Sequence, residues 1–497
     1  MNTEPLDDAE YPYSARYEAA SPFAPSATIQ NFDAAWKWLR RWLIRGALVA
    51  GVFALMGVGF AGFVGFRAAR QAWLVAQLRQ LGGQVTYSHE YPFNEDALPN
   101  ELRGLVGDHV WSDVRGIELN DPWGWWSVGS RIQFACHTCG SFPNLSSFRV
   151  DHNEFTLKDV ASWPSLTRLE DLTIQTQKLD EADYAVLSRM VGLKTLRLTT
   201  KTPVDLDVKY LANLSRLETL FLDSVRLVGT SKANPLGLPS LANLTILEVP
   251  ELDDKAITQM GPMPKLQTVN IGESALTDAA VAHFAQSSEL QSVVFDSKHV
   301  TDAGLEALAK CRQIVEIHLL GSQVTDDGVK ALTGSELRDL CLDKSAITDQ
   351  SFATFATLPN LEWLSVCDTK VTGEALEQFP KEHPLSSLDF SGAALTELGI
   401  QQIVARNPTM VHLARTRLTD AQLMLFVTND TLTYLDIEKT RVTAEGFEAF
   451  CKAKKRRVSR FGSLEPPSIQ SDFDSIYEQY FGLEFDPFTG QIGRAHV

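Results

Sequence analysis

The chain has 497 residues, a formal net charge of −17 at pH 7 and an apolar content of 44%. That apolar content is enough to bury a large core. The negative charge argues against nucleic acid as a general partner, because most of the surface would repel phosphate. Acidic solubility is the simplest explanation of the charge.

The N-terminal segment 1–35 carries Glu4, Asp7, Asp8 and Glu10 with several Pro and Ser, and it shows little apolar periodicity. Segments of this composition cannot bury enough apolar surface to offset the entropy lost when the chain is ordered. We therefore expect residues 1–35 to form a disordered tail.

An uncharged run of 21 residues, Gly46–Phe66, follows the tail and is bracketed by Arg45 and Arg67. A helix of this length covers the hydrocarbon core of a bilayer. A cleaved signal peptide is the alternative, but the run begins far into the chain and no clear cleavage site follows it. We predict a single transmembrane helix at Gly46–Phe66, within a helical segment 36–83 that continues beyond the bilayer.

Basic residues flank this run on both sides. Four precede it and three follow it: Lys37, Arg40, Arg41, Arg45, then Arg67, Arg70 and Arg79. The positive-inside rule then favours a cytoplasmic N-terminus and an extracytoplasmic C-terminal part.

Small residues line one face of the predicted membrane helix, where Gly57, Ala61 and Gly65 are spaced four apart. Such a face lets two membrane helices approach closely, which predicts a homodimer. The alternative is that Gly and Ala are simply common in membrane helices.

Residues 84–144 are predicted to form an N-terminal cap. Val114–Leu119 alternates like a strand, but no full repeat surrounds it, and Trp123, Trp125 and Trp126 follow. We expect these indoles to close the exposed end of the core, with contact to a membrane or a partner as the alternative.

The same segment contains Cys136 and Cys139, spaced as Cys-x-x-Cys. A zinc site would need two further ligands at comparable spacing, and the chain has no second pair. A thioredoxin-like redox motif would need a strand and helix of that fold around it. We expect a structural pair, disulfide-bonded if the protein is exported.

The segment Leu290–Gln313 shows the unit from which most of the chain is built. Leu290, Val293 and Phe295 lie on one side of an alternating stretch, which indicates a short strand with one buried face. Thr301 stands where a helix N-cap belongs and Asp302 follows it, at the positive end of a helix dipole. One unit is therefore strand, turn and helix.

This unit returns every 22 to 27 residues, most often 24. Each copy begins at an apolar anchor, and the residues at +3 and +5 from it are also apolar; the anchors are Leu145, Leu169, Leu193, Leu217, Leu244, Leu266, Leu290, Ile314, Leu337, Leu361, Leu385, Pro408 and Leu432. The pattern L-x-x-L-x-L at this period resembles the leucine-rich repeat. The resemblance covers roughly residues 110–463.

The cysteine-containing and bacterial subclasses fit best, and Cys311 matches the buried cysteine of the former. The resemblance implies an α/β solenoid over residues 145–463, with parallel strands on the concave face and helices on the convex face. It also implies protein binding without catalysis. F-box relatives share the repeat subclass and act as substrate receptors, but no F-box-like helical segment precedes the repeats here.

Residues at +2, +4 and +6 from each anchor are predicted to lie on the concave face. In the C-terminal half they form an acidic strip with aromatic and imidazole groups, namely Glu316, His318, Asp339, Asp343, Trp363, Asp389, His412, Tyr434, Asp436 and Glu438. This composition suggests an unknown, basic protein segment as the ligand. One alternative is that these positions are polar only because they are wet.

Catalysis or metal binding by the histidines and nearby carboxylates is a second alternative, which their scatter along the solenoid disfavours. No Ser-His-Asp signature, phosphate loop or dinucleotide fingerprint is present in the sequence. We therefore predict neither an enzyme nor a cofactor or metal site.

Three short segments follow the repeats. A basic run that includes Lys454 is expected to cap the last helix, with anionic lipid or nucleic acid as the alternative ligand.

Residues 464–490 are acidic and aromatic. Within them, Tyr477–Phe488 is similar to the opening of bacterial secretion-type AAA ATPases, which raises the alternative of a sensor module fused to an ATPase. Residues 491–497 are expected to be a translated sequencing adapter, because the adapter encodes Ile492–Val497.

Overall fold

The computed structural model describes residues 27–80, 83–87, 113–120, 130–229, 241–454, 459–461, 484–486 and 491–493. The chain forms two compact units, residues 1–72 and 73–497. The predicted cap indoles Trp123, Trp125 and Trp126 lie outside the described residues, as does most of the aromatic segment Tyr477–Phe488.

Eleven α-helices occur in the described part of the chain: α1 (Ala27–Gln80), α2 (Ser130–Cys139), α3 (Glu181–Leu187), α4 (Asp254–Met260), α5 (Asp278–Phe284), α6 (Asp302–Leu308), α7 (Asp326–Val329), α8 (Phe352–Phe355), α9 (Glu397–Ala405), α10 (Asp420–Leu423) and α11 (Ala444–Ala453). Short 3-10 turns replace or extend the helix in several repeats: Leu157–Val160, Leu166–Arg168, Val208–Leu211, Lys330–Leu332, Asp349–Ser351, Glu374–Gln378 and Met424–Thr428.

Helix α1 begins at Ala27, inside the segment expected to be a tail. Many large apolar side chains along it are strongly exposed, from 55% at Leu43 to 74% at Leu55. Among the residues that the structure describes, no helix is both long and apolar enough to cross a membrane. Several side chains of the run Gly46–Phe66, that of Ala61 among them, lie outside this description.

A single sheet of sixteen strands forms the framework of the second unit, and its strands lie in chain order. The first two strands are antiparallel and every later neighbour is parallel. The strands are β1 (Gln84–Tyr87), β2 (Val114–Asn120), β3 (Ser147–Asp151), β4 (Asp171–Thr176), β5 (Thr195–Asp207), β6 (Thr219–Val228), β7 (Ile246–Val249), β8 (Thr268–Glu273), β9 (Ser292–Asp296), β10 (Glu316–Leu320), β11 (Asp339–Cys341), β12 (Trp363–Ser365), β13 (Ser387–Asp389), β14 (Met410–His412), β15 (Tyr434–Asp436) and β16 (Ser459–Phe461). A separate antiparallel pair joins β17 (Glu484–Asp486) to β18 (Gln491–Gly493).

The repeat predicted from the sequence is confirmed. Leu290, Val293 and Phe295 are fully buried and belong to a core that continues along the sheet. Val300 is buried at the turn, and the Thr301 hydroxyl caps α6 by accepting the Ala303 N–H. Every second residue of the strand is buried, and a capped helix follows the turn, so the unit is strand, turn and helix.

The N-terminal end of the core is closed by elements that the sequence pattern did not reveal. Leu74, Val75 and Leu78, near the end of α1, are buried in the same core as the repeats. Strand β1 adds Tyr87, also buried, and pairs with the predicted cap strand β2. This arrangement supplies the cap that the first repeat needs.

The last helix ends against a buried lysine. The Lys454 ammonium donates hydrogen bonds to the backbone carbonyls of Phe426, at 2.8 Å, and Asn429. Burial lowers the pKa of Lys454. A basic residue therefore stabilises this end of the solenoid, as expected, although through specific carbonyls rather than as a solvated charge.

At six turns a Thr and the Asp of the preceding repeat join one repeat to the next. Asp302 accepts the Thr325 N–H on Oδ1 and the Thr325 hydroxyl on Oδ2, both at 2.7 Å. A Cβ at Gly328 would lie 2.2 Å from Asp302 Oδ1, so a larger residue there would have to displace this carboxylate. The same two bonds link Asp254 to Thr277, Asp278 to Thr301, Asp326 to Thr348, Asp349 to Thr372 and Asp420 to Thr443.

Asp302→Ala should lower the free energy of unfolding by about 2 kcal/mol, because it removes two hydrogen bonds and leaves the Thr325 N–H unpaired. Urea denaturation measures the change. Asp327→Ala is the matched control, since Asp327 lies in the first turn of α7 and its side chain is 83% exposed. It should cost much less, because an exposed ion pair contributes little. An equal loss of unfolding free energy in both variants would contradict a stabilising role of the Asp302–Thr325 hydrogen bonds.

Candidate functional site

The side chains that alternate with the core residues of each strand lie on the other face of the sheet, here called the open face. Backbone register aligns them in two columns. The first column runs through Glu316, Asp339, Trp363, Ser387, Met410 and Tyr434. The second column runs through His318, Cys341, Ser365, Asp389, His412 and Asp436.

All ten predicted binding residues are in the described part of the chain, and eight of them occupy these two columns. The remaining two, Asp343 and Glu438, follow their strands by two residues. In-register neighbours on parallel strands are about 4.8 Å apart. The structure therefore places Glu316, Asp339 and Trp363 side by side on three consecutive strands, whereas Tyr434 lies three strands beyond Trp363.

Part of this face is shielded from solvent. Glu316 is only 9% exposed, His318 4% and His412 6%. The interpretation that these positions are polar merely because they meet water is therefore wrong for these three residues. Trp363 packs on the His318 ring and Tyr434 on the His412 ring, which limits the access of water to both imidazoles.

Each histidine on this face packs against an aromatic ring. The His318 ring centroid lies 5.0 Å from that of Trp363, and the His412 centroid lies 4.7 Å from that of Tyr434. Neither ring nitrogen of His318 has a hydrogen-bond partner, although Nε2 is 3.4 Å from Glu316 Oε1. Burial lowers the pKa of His318 to about 3, so its imidazole is neutral at pH 7.

The carboxyl groups beside His318 have raised pKa values. Burial raises the pKa of Glu316 to about 7, and Asp339 adds to the effect, while the Ser292 hydroxyl opposes it by donating a 2.6 Å hydrogen bond. Burial also raises the pKa of Asp339 to about 6. The charge of Glu362 raises this pKa further, whereas the charge of Arg338 lowers it. Ser292 occupies the first column one strand earlier, and extending the count of +2 positions by one repeat would have found it.

A third carboxyl group with a raised pKa is held by hydrogen bonds. Asp343 Oδ1 accepts from the Ser365 hydroxyl at 2.6 Å and from the Cys367 N–H at 2.8 Å. Burial and the nearby Asp389 carboxylate raise the pKa of Asp343 to about 6. Three acidic side chains with raised pKa values therefore lie on or beside strands β10 and β11.

Among the described residues, no three His, Cys, Asp or Glu side chains are placed to hold one metal ion. Burial raises the pKa of both Cys341 and Cys367 on the open face, which keeps their thiols protonated and poorly nucleophilic. His412 Nδ1 lies 3.9 Å from Asp436 Oδ2, beyond hydrogen-bond distance.

The cysteine pair of the cap lies on α2. Cys136 and Cys139 are both buried and both free thiols. Burial raises the pKa of each thiol, which disfavours a reactive redox pair. Cys311 is also buried, and its Sγ faces the Ala285 carbonyl oxygen at 3.6 Å.

A family model described as a leucine-rich repeat matches residues 428–451. The solved structures that resemble the chain include an internalin from Listeria monocytogenes, with 19% identity, a TM-score of 0.45 and coverage of 62% of this chain and 83% of that one. A leucine-rich-repeat protein from Leptospira interrogans has 14% identity, a TM-score of 0.44 and coverage of 64% and 90%. No curated protein matches the chain.

The ectodomain of a plant membrane receptor kinase from Arabidopsis thaliana, solved with Casparian strip integrity factor 2, has 14% identity and a TM-score of 0.41, covering 66% of this chain and 44% of that one. One repeat, residues 428–451, matches the leucine-rich-repeat family model, and the repeating strand, turn and helix form a parallel α/β solenoid. The cysteine-containing and bacterial subclass stays a prediction.

Glu316→Gln should stabilise the protein at pH 8 and change its stability little at pH 5. The folded pKa of about 7 exceeds the ordinary 4.5, so Glu316 favours folding below about pH 4.5 and loses this contribution as pH rises through 7. One pKa unit corresponds to about 1.4 kcal/mol, which sets an upper limit of about 3 kcal/mol for the gain at pH 8.

Urea unfolding at pH 5 and pH 8 measures this difference. Glu438→Gln serves as the control, because the Glu438 side chain is 53% exposed and its substitution should have the same small effect at both pH values. A gain for Glu316→Gln that does not depend on pH would contradict the buried charge.

Proposed function

We propose that this protein is a non-catalytic recognition protein whose open face binds a basic segment of another protein. The observation that carries the proposal is the set of three acidic side chains Glu316, Asp339 and Asp343, none of which forms an ion pair with a lysine or arginine among the described residues. A carboxylate separated from water and from counter-charges is unfavourable, and an incoming cation relieves that cost.

The form of the ligand follows from the spacing of the strands. Side chains of one column recur about every 4.8 Å across the sheet, a distance that an extended peptide covers in one to two residues. Asp389 and Asp436 continue the acidic character along the second column towards the C-terminus. An extended segment with several lysines or arginines fits this surface better than a compact anionic or neutral partner.

Binding of the basic segment should be tested with the full-length chain and labelled twelve-residue peptides rich in arginine, glutamate or serine. Fluorescence anisotropy should show tightest binding to the arginine peptide, weakening with added salt. Affinity should rise from pH 5 to pH 8, because a bound cation favours the ionised form of the carboxyl groups whose pKa values lie near 6 and 7.

A charge-matched pair of variants separates the open face from general acidity. Replacing Asp339, Asp343 and Asp389 by Asn should weaken the arginine peptide at least tenfold. The control replaces three exposed helix-side residues, Asp327 by Asn and Glu377 and Glu448 by Gln, and should change affinity less than twofold. Equal weakening in both variants, or equal binding of all peptides, would refute the proposed function.

We further propose that the chain is anchored in a membrane by one helix at Gly46–Phe66, with a cytoplasmic N-terminus and extracytoplasmic repeats. The proposal rests on the uncharged run in the sequence and on the exposure of Val58, Phe60 and Phe66, each at least 69%. Large apolar side chains exposed in a row are unfavourable in water and mark lipid or protein contacts. A Cβ built at Gly57 or Gly65 would meet no other atom within 4 Å, which leaves room for a second copy of the helix.

Membrane anchoring is tested by washing membranes from expressing cells with alkaline carbonate. The full-length chain should stay in the pellet, and replacing Leu55 and Val58 by Arg should release it, because arginine near the bilayer centre is costly. The control places Arg at Leu398 and Met424, which are exposed apolar residues of the repeats. Release of the unmodified chain by carbonate would disprove the anchor.

A further inference from the structure

We propose that Glu316, Asp339 and Trp363 form an anchor subsite that takes one arginine side chain of the basic ligand. This inference rests on the proposed function and adds to it the position and chemistry of a single recognition contact. The three residues are consecutive members of the first column, on β10, β11 and β12. A carboxyl group therefore lies directly beside an indole ring, with a second carboxyl group on the next strand.

The acidic side chain at the centre of this subsite has no partner. The Asp339 carboxyl group makes no hydrogen bond or ion pair with any residue in the described ranges, and its half-buried position limits its contact with water. A guanidinium group can donate two parallel hydrogen bonds to a carboxylate. It can also stack on an indole face, which a planar cation does better than the compact ammonium of lysine.

A buried imidazole adjoins the subsite with its hydrogen-bonding capacity unused. His318 is 4% exposed, and its ring lies against Trp363 and within 3.4 Å of Glu316. Neither of its nitrogens is paired. An unpaired buried polar group costs free energy and calls for an explanation. The Ser292 hydroxyl already donates to Glu316, but no residue in the described part of the chain pairs with either nitrogen of His318. A guanidinium N–H entering between Glu316 and Trp363 would supply a donor for the unpaired imidazole.

The second histidine and aromatic pair provides an internal comparison. Tyr434 packs on His412, but its neighbour in the first column is Met410, so no carboxyl group stands beside the ring on that strand. Both histidines have a carboxyl group nearby, with Asp436 3.9 Å from His412, but only the ring of Trp363 has an acidic residue at the neighbouring position of the first column. We therefore place the arginine subsite at Trp363 and not at Tyr434.

The experiment uses the full-length chain and a twelve-residue peptide with four arginines separated by glycine and serine. Each arginine is replaced in turn by citrulline, which keeps the shape of the side chain and removes its charge. One position should lose about tenfold in affinity and the others less than threefold. In the Trp363→Leu and Asp339→Asn variants, that one position should no longer be distinguished from the rest.

Trp363→Phe keeps an aromatic face and should retain most of the preference, and Tyr434→Leu should leave it unchanged. Circular dichroism of each variant confirms that the repeats are folded. If the arginine peptide binds but all four positions contribute equally, or Trp363→Leu binds like the unmodified chain, the anchor subsite is wrong and the acidic recognition face stands. If the peptide does not bind the unmodified chain at all, both proposals fail.

Discussion

The packing of each repeat against the next is the interaction on which the rest of the structure depends. Residues such as Val293 are buried only because neighbouring strands and helices cover them, so no repeat has a core of its own. The Asp-Thr ladder adds directional bonds to this stacking. It tolerates variation: Thr396 bonds Glu374 where Gly373 replaces the aspartate, and Thr419 bonds Gln422 within its own repeat. Apolar packing therefore sets the stacking, and the polar ladder follows it.

The same stacking determines the chemistry of the open face. Side chains that would be separate in an extended chain are brought to strand spacing, where Asp339 raises the cost of ionising Glu316. Burial by neighbouring strands has the larger effect, because a carboxylate loses hydration before any counter-charge replaces it. The face is thus acidic and incompletely paired, a state suited to capturing cations from a partner. The acidic open face therefore results from the same stacking of strands that buries the core.

The two ends of the solenoid show how a repeating core is terminated. At the start, Leu74, Val75 and Leu78 of α1 cover the first repeat from outside the repeat pattern. At the other end, the Lys454 ammonium donates hydrogen bonds to the carbonyls of Phe426 and Asn429 in the preceding repeat. The aliphatic part of a lysine side chain can cover apolar surface while its charged end is paired. Both ends use residues whose role depends on position rather than on a motif.

The repeat, its strand and helix, and the identity of the open-face positions could be predicted from the sequence, because periodic burial leaves a periodic pattern of apolar residues. The threonine caps were equally predictable, since an N-cap acts within a few residues. What the sequence did not reveal involves partners about one repeat or more away: the carboxylate of Asp302 reaching Thr325, Trp363 covering His318, and the end of α1 closing the core. Those contacts, and the raised pKa of Glu316 that follows from burial, exist only once the strands are stacked, because charge and desolvation depend on distances in space and not along the chain.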